Sequence, residues 1–303
     1  MEASVVEREL AIRLAAQAWL EGERAHGREA WTQPQLADFQ YGGVRIPLMD
    51  RQRGIRKPAD MAAALSIRTV YRAPGAPRPY DDGTGPDGLL RYMWRGPDPD
   101  HPENRALRAA MVRELPLIWF HGVAEGVYAA LYPVYLLAEE PAERRFVVAL
   151  SEEQRFTPVG DVGEAARRYV ERITWQRLHQ PMFRAGVMRA YQTHCSVCAL
   201  GHAPLLDAAH ITPDADLRGE PVTSNGLALC KIHHAAFDAG ILGIRPDLTV
   251  HIRSDVLLEK DGPMLEHGLQ AHHDHPLLVV PRSRRDKPDP ERLAERYRVF
   301  RAG

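Results

Sequence analysis

The apolar positions Val5, Val6, Leu10, Leu14 and Ala18 recur at helical spacing behind a Ser4-x-x-Glu7 capping box, which predicts a first helix to about Gly22. A shorter helix is expected from Thr32, with Pro34 in its first turn. The pattern then changes to short apolar runs bounded by turn residues, the signature of strands. These are a turn and strand from Tyr41 to Leu48, SIRTVY from Ser66, LLRYMWRG from Leu89, then PLIWFHGV, YAALYPVYLL and RFVVAL, ending near Leu150. A short helix near Arg105 to Glu114 interrupts them. Mixed strands with few helices predict a curved sheet or partly closed barrel.

After residue 160 the pattern changes again. Asp161 is placed to cap a helix carrying Arg167, Arg168, Arg172, Arg177, Arg184 and Arg189 against Glu164 and Glu171, and Pro181 is expected to break it in two. Its basic face reads either as solvated surface or as a phosphate-tracking element. Beyond Asp238, GILGIRPDLTVHIR predicts a hairpin turning at Pro246-Asp247, and Asp289-Pro290 opens a final helix in an arginine-rich tail. That tail is either a DNA contact or a surface helix. The chain therefore reads as α+β, with an N-terminal domain over 1–160, a basic linker helix over 161–181 and a C-terminal domain over 182–303.

Length agrees, since 303 residues accommodate two ordinary domains. With 45% apolar and 26% charged residues, the balance is that of a folded chain rather than a disordered one. No run of about 18 apolar residues exists and the N-terminus is acidic, which argues against membrane insertion and secretion. The three cysteines are crowded into one segment, which suits a metal rather than a disulfide framework and points to the reducing cytoplasm. A net charge of −1 does not advertise nucleic-acid binding by the whole molecule, so any such site must be local. Lysine occurs only at Lys57, Lys231, Lys260 and Lys287, leaving the positive charge to arginine.

The densest chemistry lies between Cys195 and Asp238. Cys195-x-x-Cys198 and Cys230-x-x-His233 supply four ligands from two tight turns, the set a closed tetrahedral Zn²⁺ site requires. Three further residues remain. His210 stands at the exit of an apolar run, Asn225 follows 15 residues later, and His234 precedes Asp238 by one helical turn. His234 and Asp238 would share one helical face and could grip a divalent cation. No phosphate loop of the GxxxxGK[ST] type is present.

The pattern AAHI…SNGLALCKIHHAAFDAG resembles the HNH nucleases of the ββα-metal class, in particular HNH restriction endonucleases with a zinc-stapled module, over about residues 182–300. The resemblance implies that His210 is the general base, that Asn225 holds the His210 loop or ring, and that His234 ligates the catalytic cation, Mg²⁺ or else Mn²⁺, Co²⁺ or Ni²⁺. Many family members place Asp or His directly before the base; here that position is Ala209. Asp238 is the replacement expected from the helix. Asp207 is the weaker candidate, because a residue three before the base points to the other face of a strand.

In the N-terminal half, Tyr80-Asp81-Asp82-Gly83, Tyr92, Trp94-Arg95-Gly96 and Asn104-Arg105-Ala106-Leu107 resemble the SRA (YDG) domain, a PUA-like fold, over about residues 38–137. The resemblance implies a pocket for a flipped 5-methylcytosine, with Tyr80, Tyr92 and Trp94 as stacking faces and Asp81 or Asp82 reading the base edge. The basic run Arg51-Gln52-Arg53-Gly54-Ile55-Arg56-Lys57-Pro58 would clamp phosphates, fill the vacated base position, or simply be solvated. His101, His121, His272, His273 and His275 have no matching ligand set and read as surface or packing residues. Together these features predict a modification-dependent endonuclease acting on double-stranded, methylated DNA. The alternatives are a methyl-DNA-binding protein with a weak or inactive HNH module, motivated by Ala209, and a nuclease reading another mark such as phosphorothioate or hydroxymethylcytosine. One active site per chain implies either a homodimer or sequential nicking.

Overall fold

The computed structural model describes residues 2–71, 84–214, 216 and 219–303. The chain divides into two compact units, Met1–Arg24 with Ala30–Pro181, and Ala25–Glu29 with Met182–Gly303. Among the described residues no helix is long and apolar enough to cross a membrane.

The first unit opens with α1 (Glu2–Ala25). Ser4 therefore lies inside the helix rather than at its cap, and the helix runs past Gly22. Its buried stripe is Ile12, Ala16 and Leu20, while Leu10 and Leu14 face outward. Two charged residues share the buried stripe: Arg13 donates to the carbonyls of Glu9 (2.9 Å) and Ala64 (2.6 Å), and the Glu9 carboxylate accepts from the Ala62 amide at 2.5 Å. Burial pulls the Arg13 guanidinium down to about 10, against the opposing pull of Glu9. Buried charges persist only when paired in this way.

The strand expected over Tyr41–Leu48 is instead a short hairpin, Gln40–Tyr41 with Val44–Arg45, whose turn uses Gly42 and Gly43 at φ +56° and +77°. The main sheet contains β1 (Trp31–Thr32), β2 (Ile55–Arg56), β3 (Ser66–Thr69), β4 (Leu90–Met93), β5 (Leu117–Ala124), β6 (Val127–Glu140) and β7 (Arg145–Ala149), with α2 (Pro102–Val112) between β4 and β5. Its order is β2-β3-β5-β6-β7-β4, with β1 pairing β6. Only β3 and β5 are parallel. The long β6 pairs through its first half with β1 and β5 and through its second half with β7. Register shifts at Leu117/Trp119, Gly122/Ala124 and Leu136/Ala138 accompany that change of partner and curl the sheet into a half-barrel.

Helix α3 (Glu164–Ala190) starts three residues after Asp161 and passes through Pro181 without breaking. A proline withholds one N–H, here from the carbonyl of Arg177, but its fixed φ is compatible with the helix. The division between the two units falls at Pro181.

The second unit packs Phe183 and Val187 of α3, and Tyr191 just past its end, against β8 (Leu206–His210) and β9 (Gly226–Cys230), α4 (Lys231–Asp238), and the hairpin β10 (Leu242–Ile244) and β11 (Val250–Ile252). A Cβ on Gly226 would lie 2.3 Å from Val187 Cγ2, so only glycine lets β9 come this close to α3. The chain ends in α5 (Pro290–Ala302), capped by the Asp289 carboxylate, which accepts from the amides of Glu291 and Arg292. The Asp289 amide reaches back to the carbonyl of Ser224 at 2.9 Å. Arg292 pairs with Glu220 at 2.9 Å, and Arg296 donates to the Phe237 carbonyl at 3.1 Å while lying over the Phe237 ring.

Candidate functional site

Two antiparallel strands followed at once by a helix carry the site. Strands β8 and β9 pair from Leu206↔Cys230 to His210↔Gly226, and α4 begins at the residue after Cys230. The register therefore sets Cys230 at one end of the hairpin and His210 at the other. Ahead of the hairpin, the Cys195–Leu200 knuckle turns through Ala199 at φ +58°, and the Cys195 amide donates to the Leu200 carbonyl at 2.9 Å. The amide of Ser196 ties this knuckle to β9 through Ala228, at 2.7 Å.

These turns gather Cys195, Cys198, Cys230 and His233, whose ligand atoms all lie within 4.8 Å of one another. His233 points Nδ1 at the sulfurs, 3.1 Å from Cys230 and 3.4 Å from Cys195, while its Nε2 meets the Gly268 carbonyl at 2.7 Å. That outer hydrogen bond places the proton on Nε2 and leaves the Nδ1 lone pair to a metal. Three sulfurs and one imidazole nitrogen, largely buried, fit Zn²⁺, and the cluster can hold it. Hydrogen bonds with Cys195 and Cys198 push the Cys230 thiol far down, and those with Cys198 and Cys230 push Cys195 far up. Burial lowers the His233 imidazole, but its bonds to Cys195 and Cys230 reverse this and raise it to about 10. Crowded thiols that cannot all ionise alone are what a bound cation relieves.

At the far end of the hairpin, the His210 ring stacks on Phe183, with centroids 3.9 Å apart and planes 14° from parallel. Its Nε2 is covered and has no hydrogen-bond partner among the described residues. Burial holds the imidazole below its ordinary value; Asp214 opposes this, His234 reinforces it and Asp238 opposes it. The ring is thus neutral near pH 7, the state a general base needs. Asn225 is fully buried and does not touch the ring. Its Oδ1 accepts from the Thr212 amide at 2.8 Å, and its Nδ2 donates to the carbonyls of Thr212 (3.1 Å) and Glu220 (3.0 Å). It clamps the loop that leaves His210.

On α4, His234 lies between two carboxylates, with Nε2 3.2 Å from Oδ2 of Asp238 and Nδ1 3.2 Å from Oδ2 of Asp207. Two oxygens or nitrogens in neighbouring octahedral positions around Mg²⁺ stand about 3 Å apart, so the Nε2–Asp238 spacing suits one cation. Sequence spacing made Asp207 the weaker candidate ligand, judged only against His210. The register of β8 against α4 brings it to the opposite side of the His234 ring. Phe183, Asp214 and Lys231 were also missed. Lys231 bonds Asp207 at 2.6 Å, and its place at the first turn of α4 was the available signal.

In the first unit, Tyr80, Asp81 and Asp82 lie outside the described residues. Tyr92 and Trp94 are each 7% exposed and pack into the core, Tyr92 edge-on to Trp119 with its hydroxyl on the Gly54 carbonyl at 3.2 Å. Both rings alternate into the sheet's packed interior, so neither presents the open stacking face expected of it. Arg53, from the basic run, approaches the buried Glu103 at 3.6 Å, and the second Glu103 oxygen has no partner among the described residues.

Residues 195–245 match the family described as HNH endonuclease. Solved structures similar to this chain include the modification-dependent TagI restriction endonuclease, 20% identical with a TM-score of 0.30, over 82% of this chain and 85% of that one. They also include the Type IV phosphorothioation-dependent restriction endonuclease ScoMcrA, 18% identical with a TM-score of 0.23, over 62% of this chain and 48% of that one. No curated protein matches. The hairpin and helix over residues 195–245 are an HNH endonuclease domain, and the protein is a nuclease.

Proposed function

We propose that the protein is a modification-dependent DNA endonuclease that reads 5-methylcytosine through its first unit and hydrolyses a phosphodiester bond with its second. The observation that carries the nuclease half is that one hairpin-and-helix frame bears His210 at the end of a strand and the His234–Asp238 pair on the helix that follows, with Nε2 and Oδ2 3.2 Å apart. His210 takes the proton of the attacking water. Asn225 keeps the following loop, and with it the strand end bearing His210, in place. His234 and Asp238 hold the divalent cation, and when bound it supplies charge stabilisation at the scissile phosphate and the leaving oxygen. Cys195, Cys198, Cys230 and His233 hold Zn²⁺ and keep the frame folded. The reader half rests on the Tyr80–Gly83, Tyr92 and Trp94–Gly96 motifs and on the curled sheet that bears the last two. In this reading Tyr80 is the stacking ring, and the buried Tyr92 and Trp94 support the fold around it.

The test is cleavage of matched methylated and unmodified duplexes with Mg²⁺, Mn²⁺, Co²⁺ or Ni²⁺, alongside His210→Ala. Methyl-dependent cutting that the substitution abolishes is the expected result; equal cutting of both duplexes sinks the reader assignment. Ala209, which offers no ligand where many HNH nucleases carry one, favours a second reading as a methyl-DNA-binding protein with a weak or inactive HNH module. Tight binding without cutting under every cation would support it. Light scattering with and without DNA distinguishes a dimer from sequential nicking.

A further inference from the structure

A nitrogen of imidazole that binds a cation must be unprotonated, so the other nitrogen keeps the proton and requires an acceptor. His234 has a carboxylate on each side, and which one accepts decides which nitrogen is offered. Asp238 lies one turn along the same helix, and its side chain is 61% exposed. Asp207 is more enclosed, at 24%, and is heavily engaged: Oδ1 accepts from Lys231 Nζ at 2.6 Å and faces Arg184 at 3.6 Å, while Oδ2 faces His234. Arg184 is itself fixed, donating to Glu29 at 2.6 Å and to the Leu206 carbonyl at 2.8 Å. A carboxylate already shared between two cations and a ring nitrogen has little to give a metal ion, but is rigidly placed to accept one N–H. Its position on β8 agrees. Asp207 and His210, three residues apart, face opposite sides of the strand, so a cation serving water beside His210 belongs on the Asp238 side of the ring.

We infer that Asp207 is the positioning residue of the catalytic cation site: it accepts the Nδ1–H of His234, fixes the tautomer, and turns Nε2, with Asp238, toward the face of His210. This rests on the reading of His234 as a cation ligand. Lys231, Arg184 and Glu29 brace the carboxylate, so an ordered chain of charges runs from the Ala25–Glu29 segment to the metal-binding ring. Asp207 thereby changes role, from a weak candidate ligand to the acceptor behind the ligand.

The test uses the full-length, zinc-loaded protein without DNA. Mn²⁺ binding is followed by loss of the free-ion electron paramagnetic resonance signal in the unmodified chain and in Asp207→Ala, Asp207→Asn and His234→Ala. Asp207→Ala is expected to weaken Mn²⁺ about 10–100-fold. Asp207→Asn, whose amide oxygen still accepts the N–H, should recover most of that loss. Bound zinc and melting temperature should be retained in both. Unchanged affinity in His234→Ala would overturn the ligand reading itself. Weakened His234→Ala beside an unchanged Asp207→Ala would overturn the positioning role alone, as would an Asn variant no better than Ala. Should Asp207→Ala lose its fold, the ring tautomer of the unmodified protein still decides the matter. A two-bond ¹H–¹⁵N correlation spectrum is expected to show Nδ1–H at His234, and Nε2–H would refute the assignment.

Discussion

His233 and His234 are neighbours in one helix with opposite surroundings. His233 is 1% exposed, with one nitrogen turned to three sulfurs and the other held by the Gly268 carbonyl, and nothing can approach it. The side chain of His234 is 28% exposed, set between two carboxylates on a face that a phosphate could reach. A closed ligand shell of soft donors stabilises structure, whereas an open shell with oxygen donors leaves room for substrate. Successive residues of a helix point about 100° apart, which is how a single step along the chain separates the two environments.

The sharpest way to break this contrast is to open the closed shell. Cys230→Ala should release the zinc and unfold the second unit, since structural zinc supplies roughly 10–16 kcal/mol of apparent binding energy to small domains. All five tryptophans, from Trp19 to Trp175, belong to the first unit, so their fluorescence should keep its own unfolding transition. Retention of zinc, or of a folded second unit by hydrogen exchange, would contradict the staple. On the open side, His210→Ala should reduce cleavage by about 10²–10⁴-fold while leaving zinc content and DNA binding intact. A loss of DNA affinity of similar size would mean that His210 binds rather than reacts.

Asn225→Ala falls between the two sites in effect. It strands the Thr212 amide and the carbonyls of Thr212 and Glu220, so it should cost about 1–3 kcal/mol of stability. Cleavage should fall with it at temperatures where the unit stays folded. Normal melting with normal activity would show that the loop holds itself. The smallest effect is a pH shift. As the proposed base His210 must be unprotonated, and burial keeps its folded value below the ordinary imidazole range. The acid limb of the cleavage rate should therefore lie below about pH 6.5. Activity should disappear only as protons are added past that lowered value; a limb at or above the ordinary imidazole value of about 6.5 would contradict the burial of the ring.

The second unit was the more legible in the sequence because its chemistry is local. Cys195, Cys198, Cys230 and His233 are two short-range pairs, and His234 and Asp238 lie one turn apart, so spacing alone brings each pair together. What spacing could not supply was contact across elements. Asp207 meets His234 only because β8 runs beside α4, and Phe183 meets His210 only because Gly226 admits α3 so closely. In the first unit the strands from Ser66 onward were legible, but the apolar spacing of α1 did not reveal its buried face. Val5, Leu10 and Leu14 keep helical spacing yet face outward, while the buried stripe includes the ion pair Glu9–Arg13, which an apolar count overlooks. Pro181 also misled, since a helix anchored on both sides by packing tolerates one missing hydrogen bond.

The terminal helix alters the charge that DNA would meet. Written out, the tail is a run of arginines, but Arg292 is neutralised by Glu220, the residue whose carbonyl the Asn225 clamp uses. Arg296 caps the Phe237 carbonyl and faces Oδ1 of Asp238 at 3.9 Å, leaving Oδ2 toward His234. These two arginines serve as internal counter-ions for both ends of the site. A deletion of the last 14 residues would remove no ligand and no base, yet it would leave Asp238 free to swing and the Asn225 turn without its outer tie.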